Sequence, residues 1–439
     1  MAKKKEDMLQ KIVSLAKRRG FIYQGSEIYG GLAGTWDYGP LGVALKRNIT
    51  NLWWRMFVLD REDMYGLDAA ILMNANVWKA SGHVDGFSDP LSECEKCKHR
   101  FRTDQLSDQN ACPDCGGTLG APRQFNMMFK THVGATETSG SVSYLRPETA
   151  QGIFVNFKNI VDSFHPKLPF GIAQIGKAFR NEITPRDFVF RVRELEQMEV
   201  EYFVREKDWE KSFEEWRGLI HRFMDALGLK KEHVHELEVT PEDRAHYSKR
   251  TIDFEFDFPF GRKELYGLAY RTDYDLSKHQ EHSAVDLSYL DEETKEKFVP
   301  HVIEPSLGVD RTMLAVLSDA YTEDEMSGET RTVLKLHPRI APVAVAVFPL
   351  LKNKPALVGK AKEVYGLLRR DIPNVMFDDN GNIGKRYRRQ DEIGTPFCVT
   401  IDFDTLEDNT VTLRDRDSGE QKRMKIDDLP AHLLEALGI

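Results

Sequence analysis

Cysteine is scarce in this chain: five residues in 439, four of them between positions 94 and 115. That clustering excludes the spread-out disulfide framework of a secreted protein and reads as a metal site in a reducing compartment. Long apolar runs are lacking as well. The longest, Ile340 to Leu351, has twelve residues and is broken by Pro342 and Pro349, short of the ~20 that a bilayer-spanning helix needs. Near the N-terminus only the five-residue run Ile12–Ala16 lies between charges, too little for the core of an export signal, so no membrane association is expected. Positive charge is in deficit. Lysine plus arginine is 61 and aspartate plus glutamate 70, a net charge of −9, so any contact with nucleic acid must come from local basic patches. No GxxxxGK[ST] loop occurs, which excludes nucleotide binding of the P-loop kind.

What is present describes a globular protein of two or three domains, with 41% hydrophobic and 30% charged residues. Helical spacing runs over 7–19 and over 41–59, where Leu41, Leu45, Ile49, Leu52 and Met56 share one face. Strand patterns at Phe170–Arg180 and Gln197–Val204 enclose a polar, arginine-rich loop at 181–191. In Thr251–Phe260, Ile252, Phe254, Phe256 and Phe258 alternate with Asp253, Glu255 and Asp257. This predicts one buried face and one acidic, solvated face. Residues 206–250 carry Trp209, Phe213, Trp216, Ile220 and Phe223 on a helical stripe among charges, as in an inserted helical module. Beyond a proline-bounded connector at 336–342, a strand at 343–348, a helix at 355–371, a Gly-rich loop at 379–384, a strand at 396–403 and a final helix predict a small α/β domain.

Three groups of residues carry chemistry. Cys94-x2-Cys97 and Cys112-x2-Cys115, with 14 residues between the pairs, have the spacing of two knuckles that close a tetrahedral thiolate shell around Zn²⁺. Two disulfides or a disused site are the alternatives. Cys398, in the apolar strand TPFCVTI, reads as a buried structural thiol. FRNE at 179–182, FRVREL at 190–195 and EPSLGVDR at 304–311 place arginines on a hairpin and at the start of a helix. Guanidinium forks and a helix N-terminus suit a triphosphate, although each segment alone reads equally as a solvated salt-bridge network. The run KRYRR at 385–389 is either a solvated loop or a contact for unpaired RNA bases.

In order and context, the arginine-bearing segments match motifs 2 and 3 of class II aminoacyl-tRNA synthetases. RPETAQGIFVNFKN (146–159), LPFGIAQIGKAFRNEITPRD (168–187), ELYGLAYRTDYDL (264–276), IEPSLGVDR (303–311) and GNIGKRYRRQDEIGTPFCVTIDFDT (381–405) narrow the likeness. From about Gly20 onward the chain resembles glycyl-tRNA synthetases of the single-polypeptide, homodimeric kind. The resemblance implies an α+β fold with an antiparallel-sheet class II catalytic domain over 1–339, containing a zinc-binding insertion at about 90–120 and a helical insertion at about 206–250. An α/β anticodon-binding domain would follow over 340–439. It also implies a cytoplasmic ligase that activates glycine with ATP and Mg²⁺ and passes the glycyl group to the 3′ end of tRNA(Gly).

The resemblance assigns roles residue by residue. Arg180, Glu182 and Arg311 would be catalytic. ATP would meet these together with Asn181, Phe190, Arg191, Val192, Arg193, Glu194, Leu195, Glu264, Leu265, Gly308, Val309 and Asp310. Glycine would meet Arg102, Glu148, Leu195, Glu196, Gln197, Met198, Glu199, Glu304, Pro305, Ser306, Leu307 and Gly308. Cys94, Cys97, Cys112 and Cys115 would hold zinc, and Lys385, Arg386, Tyr387, Arg388 and Arg389 would contact tRNA. Two departures stand out. Leu195 occupies the place of a Phe that stacks on adenine, which leaves Phe190 as a substitute. LDAAILMNANVWKASGH lacks the strand proline common at the dimer interface, so only the apolar helix at 41–59 supports a dimer.

Overall fold

The computed structural model describes residues 2–326 and 328–438. Seven strands form the central sheet: β1 (Met64–Gly66), β2 (Phe170–Phe179), β3 (Glu194–Val204), β4 (Val234–Glu238), β5 (Arg250–Phe258), β6 (Gly261–Thr272) and β7 (His301–Gly308). Their order is β4-β5-β6-β7-β3-β2-β1, antiparallel throughout except at the β1–β2 edge. Strand alternation sorts each strand's residues between two faces. Ile252, Phe254, Phe256 and Phe258 of β5 join Met198, Val200 and Tyr202 of β3 and Ile303 and Leu307 of β7 in one apolar core. The opposite face carries Gln174, Glu199, Ser306, Gly267 and Asp253 in register across five strands.

Helices that flank this sheet include α1 (Pro40–Trp54), α2 (Ala150–Phe154), α3 (Trp209–Leu227), α4 (Tyr274–Ser283) and α5 (Val309–Ala320). α1, α3 and α5 cover the apolar face. The π-helical turn Arg55–Leu59 continues α1, and its Phe57 lies 5.0 Å from the Trp53 ring and 5.7 Å from that of Trp216. Aromatic side chains of this size each bury ~150–250 Å² and dominate the packing energy. α2 and α4 cover one end of the polar face through Ile153, Phe154 and Leu276. The other end stays open.

Three expectations are corrected here. Residues 206–250 are no insertion: α3 supplies the cover for the sheet, and β4 is the edge strand of the sheet itself. The polar sequence VHELE concealed that strand, because an edge needs little apolar surface. The acidic face of β5 is only partly solvated, since Asp253 turns toward the open end of the polar face. Leu45, Ile49 and Leu52 of α1 are buried in the chain's own core, so this helix offers no apolar face to a partner.

The C-terminal segment folds as expected into an α/β unit with its own core. Its sheet has the order β9-β8-β10-β11-β12, from β8 (Val345–Pro349), β9 (Val375–Phe377), β10 (Phe397–Ile401), β11 (Thr410–Asp415) and β12 (Gln421–Lys425). Cys398 is 1% exposed on β10, in agreement with a structural thiol. The hairpin Tyr321–Met326/Glu329–Leu334, which follows α5, reaches over to this unit. Arg331, fully buried, donates to Asp391 at 3.1 Å, to Asp324 at 2.6 Å and to the Arg416 carbonyl at 2.9 Å. Arg414 closes on the same Asp391 with bonds of 2.8 and 3.1 Å. Removing the shared anion strands the buried Arg414 and leaves Arg331 with the Asp324 carboxylate alone, and breaking a buried pair from one side typically costs ~3–5 kcal/mol. Asp391→Ala is therefore expected to lower the urea midpoint sharply, whereas Asp324→Ala, which removes a partly exposed partner, lowers it far less.

Candidate active site

At the open end of the polar face, a cleft and a deeper pocket meet. The cleft is walled by Arg180 and Glu182 at the end of β2, Phe190 and Arg191 of the returning hairpin, and Glu264 and Arg311. Arg180 is aimed by its Nε, which donates to the Pro147 carbonyl at 3.0 Å, and by the Phe87 ring 5.5 Å from its guanidinium. Arg311, in the first turn of α5, pairs with Glu264 at 3.1 Å and lies 4.5 Å over the Phe190 ring. The charge of Arg311 holds the Glu264 carboxyl below the usual range. Phe190 is itself braced edge-on by Phe258 and Phe260. Glu182 lines the cleft, and its buried Oε2, without a hydrogen-bond donor among the described residues, lies 3.9 Å from Arg191 Nη1. The result is a basic cleft with an aromatic wall.

The deeper pocket is acidic. Glu148, Glu199, Glu304 and Ser306 line it, and Arg180, Gln197, Glu264 and Ser306 belong to both cavities. Ser306 donates to Glu199 at 2.8 Å. Glu148 accepts from Gln151 at 3.0 Å and lies 3.3 Å from His83 Nε2. Burial pushes Glu304 up to about 8 against the opposing pull of Arg271. Asp253 is raised to about 7 by burial, then by the charges of Glu264 and Glu255.

This geometry agrees with what the chain is similar to. Residues 130–320 match the class II core domain of tRNA synthetases (G, H, P, S and T), and 344–436 match an anticodon binding domain. A glycine–tRNA ligase of Clostridium acetobutylicum is 53% identical over 99% of this chain and 100% of its own length. Those of Caldanaerobacter subterraneus and Thermobifida fusca are each 52% identical, over 98% and 99% of this chain and 98% and 99% of their own. The chain belongs to the glycine–tRNA ligase family.

For a glycine–tRNA ligase the placement of the predicted residues can now be reported. Gln197, Glu199, Glu304 and Ser306 share the site face. Met198 and Leu307, neighbours of these in sequence, point into the opposite core and are corrected, because a run of strand residues cannot all face one side. Pro305 sits between two site-face residues and pairs across with Leu268. Val309 is buried in the core. Asp310 lies on the cleft and accepts from Tyr38 and, at 2.8 Å, from the Glu196 amide; Glu196 in turn pairs with Lys46 at 2.6 Å. Val192, Leu195, Leu265 and Gly308 line the cleft. Asn181 donates its amide to the Met127 carbonyl, and Glu194 pairs with Lys177 at the surface. Arg193 ties the hairpin to the carbonyls of Glu182 and Ala33 and does not line the cleft. Arg102, expected beside glycine, lies on the cleft and pairs with Asp89 at 2.7 Å. Sequence reasoning missed Arg271, Asp275, Gln151, His83 and Tyr247; the Arg-x3-Asp spacing in YRTDYDL was their one visible signal.

The four cysteines converge. Cys94 and Cys115 sulfurs are 3.5 Å apart and those of Cys97 and Cys112 3.6 Å, and all four lie within 4.8 Å of one another. These separations exceed the ~2.05 Å of a disulfide and are close to the edge of a tetrahedron with ~2.3 Å metal–sulfur bonds. The reading of the basic run 385–389 as a loop is corrected. The run is the first half of helix α6 (Ile383–Ile393), not a loop. Arg386 is 1% exposed and caps the carbonyls of Pro349, Asp379 and Gly381. Tyr387 donates to or accepts from Thr400 at 2.6 Å and packs on Phe348. Arg389 is engaged by Asp378 at 2.7 Å and Arg388 by Glu329 at 3.2 Å, while Lys385 stands exposed.

The raised Asp253 carboxyl generates a pH test. A carboxyl that titrates higher in the folded than in the unfolded chain stabilises the fold below its unfolded value near 4, and that contribution is lost as pH rises through about 7. Urea denaturation of Asp253→Asn between pH 4.5 and 7.5 is expected to show a smaller loss of stability with rising pH than the parent chain.

Proposed function

We propose that glycine is activated where the two cavities meet, with the triphosphate of ATP in the basic cleft and the glycine ammonium in the acidic pocket. The observation that carries this reading is the shared wall: Arg180 faces both cavities, the one place where a carboxylate and an α-phosphate must come together. The overall activity is that of the family, the ATP-dependent joining of glycine to tRNA. A glycine carboxylate oxygen attacks the α-phosphorus, and the bond to the β-phosphate bridging oxygen breaks. Pyrophosphate leaves and glycyl-adenylate remains. A terminal ribose hydroxyl of tRNA(Gly) then attacks the acyl carbon and AMP departs.

Arg180 would balance the negative charge growing at the α-phosphate and Arg311 that of the γ-phosphate, from fixed positions that need no reorganisation. Phe190 would take one face of adenine in place of the Phe absent at Leu195. The orphan Oε2 of Glu182 suits the adenine amino group. Glu264 would help to hold the Mg²⁺ that accompanies ATP. Glu148, Glu199 and Glu304 would hold the ammonium, with Ser306 bonded to Glu199 beside them. Arg102 would steady the outer cleft. The division between catalytic and anticodon-binding parts is taken near residue 340. We assign the chain to the cytoplasm and to a homodimer by its likeness to the family; among the described residues no helix is long and apolar enough to cross a membrane. For tRNA, Lys385 and the outer sides of Arg388 and Arg389 are the accessible parts of the basic run, while Arg386 and Tyr387 act through the fold.

The four-cysteine cluster would hold one structural Zn²⁺. It closes the hairpin between strands Ser88–Glu93 and Arg100–Arg102, with no open coordination position for catalysis. Metal analysis of reduced protein is expected to give about one zinc per chain, and Cys94→Ser with Cys112→Ser to remove it and lower thermal stability. Finding no zinc in protein prepared without chelators would refute the assignment.

Glycine-dependent ATP–pyrophosphate exchange tests the site. Exchange is expected with glycine and not with alanine, and Arg311→Ala is expected to slow it ~10²–10³-fold with the fold intact by circular dichroism. Near-normal exchange in that variant would reduce Arg311 to a surface partner of Glu264.

A further inference from the structure

Behind the acidic pocket lies a chain of side chains that joins two of its carboxylates without touching the cavity. Arg271 of β6 is 1% exposed. Its Nη1 donates to Glu304 at 2.6 Å, while Nε and Nη2 grip both oxygens of Asp275 at 2.8 Å. Asp275, four residues on in the first turn of α4, accepts from Gln151 Nε2 at 2.9 Å, and the same amide donates to Glu148 at 3.0 Å. The Gln151 carbonyl is fixed in turn by His279 at 2.7 Å. Tyr247 lies 3.7 Å over one side of the guanidinium. The path Glu304–Arg271–Asp275–Gln151–Glu148 is continuous.

We propose that Arg271 and Asp275 are positioning residues for glycine: they hold Glu304 and Glu148 at a fixed separation, so that the pocket receives an ammonium as one preformed unit. This deepens, and rests on, the assignment of that pocket to glycine. Three features make it specific. All three donor directions of the fork are used, which a lysine ammonium cannot reproduce because it lacks the planar geometry. The guanidinium is the one positive charge bonded to Glu304, which otherwise faces Glu199 and Glu201. Glu201, itself a carboxyl without a hydrogen-bond partner among the described residues, offers Glu304 no positive charge in place of the guanidinium. With Arg271 gone, Glu304 loses the bond that fixes its direction, and the neighbouring Glu199 and Glu201 turn it away from the pocket. The nucleotide cleft does not use the path, so ATP binding is independent of it.

Pyrophosphate exchange in the full chain, with separate Michaelis constants for glycine and ATP, reads the effect in Arg271→Lys, Asp275→Asn, Glu304→Gln and the double variant Arg271→Lys/Glu304→Gln. Thermal unfolding runs in parallel. Arg271→Lys and Asp275→Asn are expected to raise the glycine constant on the order of tenfold or more, as befits loss of a buried charge-assisted bond, and to leave the ATP constant within about twofold. Added to Glu304→Gln, the Arg271→Lys change should have little further effect, because it acts through that carboxylate. If Arg271→Lys does not fold, Asp275→Asn is judged by the same criteria. A glycine constant that does not move, one that rises together with the ATP constant, or additive losses in the double variant would overturn the positioning role. An unchanged glycine constant in Glu304→Gln would instead show that the pocket is not the glycine site, and the positioning role would fall with it.

Discussion

Everything at the active site depends on the two-residue alternation of the central strands. β3 and β7 use it to keep two incompatible environments a single residue apart. Met198 and Leu307 belong to an aromatic and aliphatic core, while Gln197, Glu199, Ser306 and Glu304 form the floor of a charged pocket. Antiparallel register then aligns Gln174, Glu199, Ser306, Gly267 and Asp253 across the sheet. A slip of one residue in any strand would exchange the two faces. The packing of Trp53, Phe57, Trp216 and Phe223 on the far side is therefore what holds the carboxylates of the near side in place.

The site buries several acids around one guanidinium, an arrangement that is stable only if the anions are partnered or protonated. Glu199 has Thr149 and Ser306, Glu148 has Gln151, and Glu304 has Arg271. An excess of negative charge remains inside the pocket while the adjoining cleft is lined by Arg102, Arg180, Arg191 and Arg311. The proposed seating of an ammonium beside a triphosphate would use that pairing of opposite fields.

Much of this was legible in the chain itself. The cysteine spacing located a cluster whose sulfurs do converge, the Phe/Asp alternation at 252–258 located β5, and the three arginine segments located the cleft. The misplacements have physical causes. β4 was hidden because an edge strand can be almost wholly polar. The run at 385–389 looked like a loop because a preceding Gly-rich turn and five polar residues carry no helical apolar stripe, yet Asn382 caps the helix by accepting the Lys385 amide. Met198, Leu307 and Val309 were assigned to the site by contiguity, which alternation and helix entry overrule. Arg193 and Arg386 show that an arginine's reach for backbone carbonyls leaves no mark in sequence. The relay through Arg271 was invisible for a related reason: its members lie 33 positions apart at one bond and 124 at another.

The position of β7 in the sheet has a consequence for synthesis. It lies between β6 and β3, and no other described strand joins the half formed by β1, β2 and β3 to the half formed by β4, β5 and β6. On a ribosome both halves emerge before residues 301–308 do, each with an unpaired inner edge of the kind that invites wrong pairing. The strand that brings Glu304 and Ser306 to the pocket is thus also the one that closes the sheet. A nascent chain has no partial activity to protect and a period of exposed edges to survive, and α5, which follows β7 directly and carries Arg311, emerges only as that period ends.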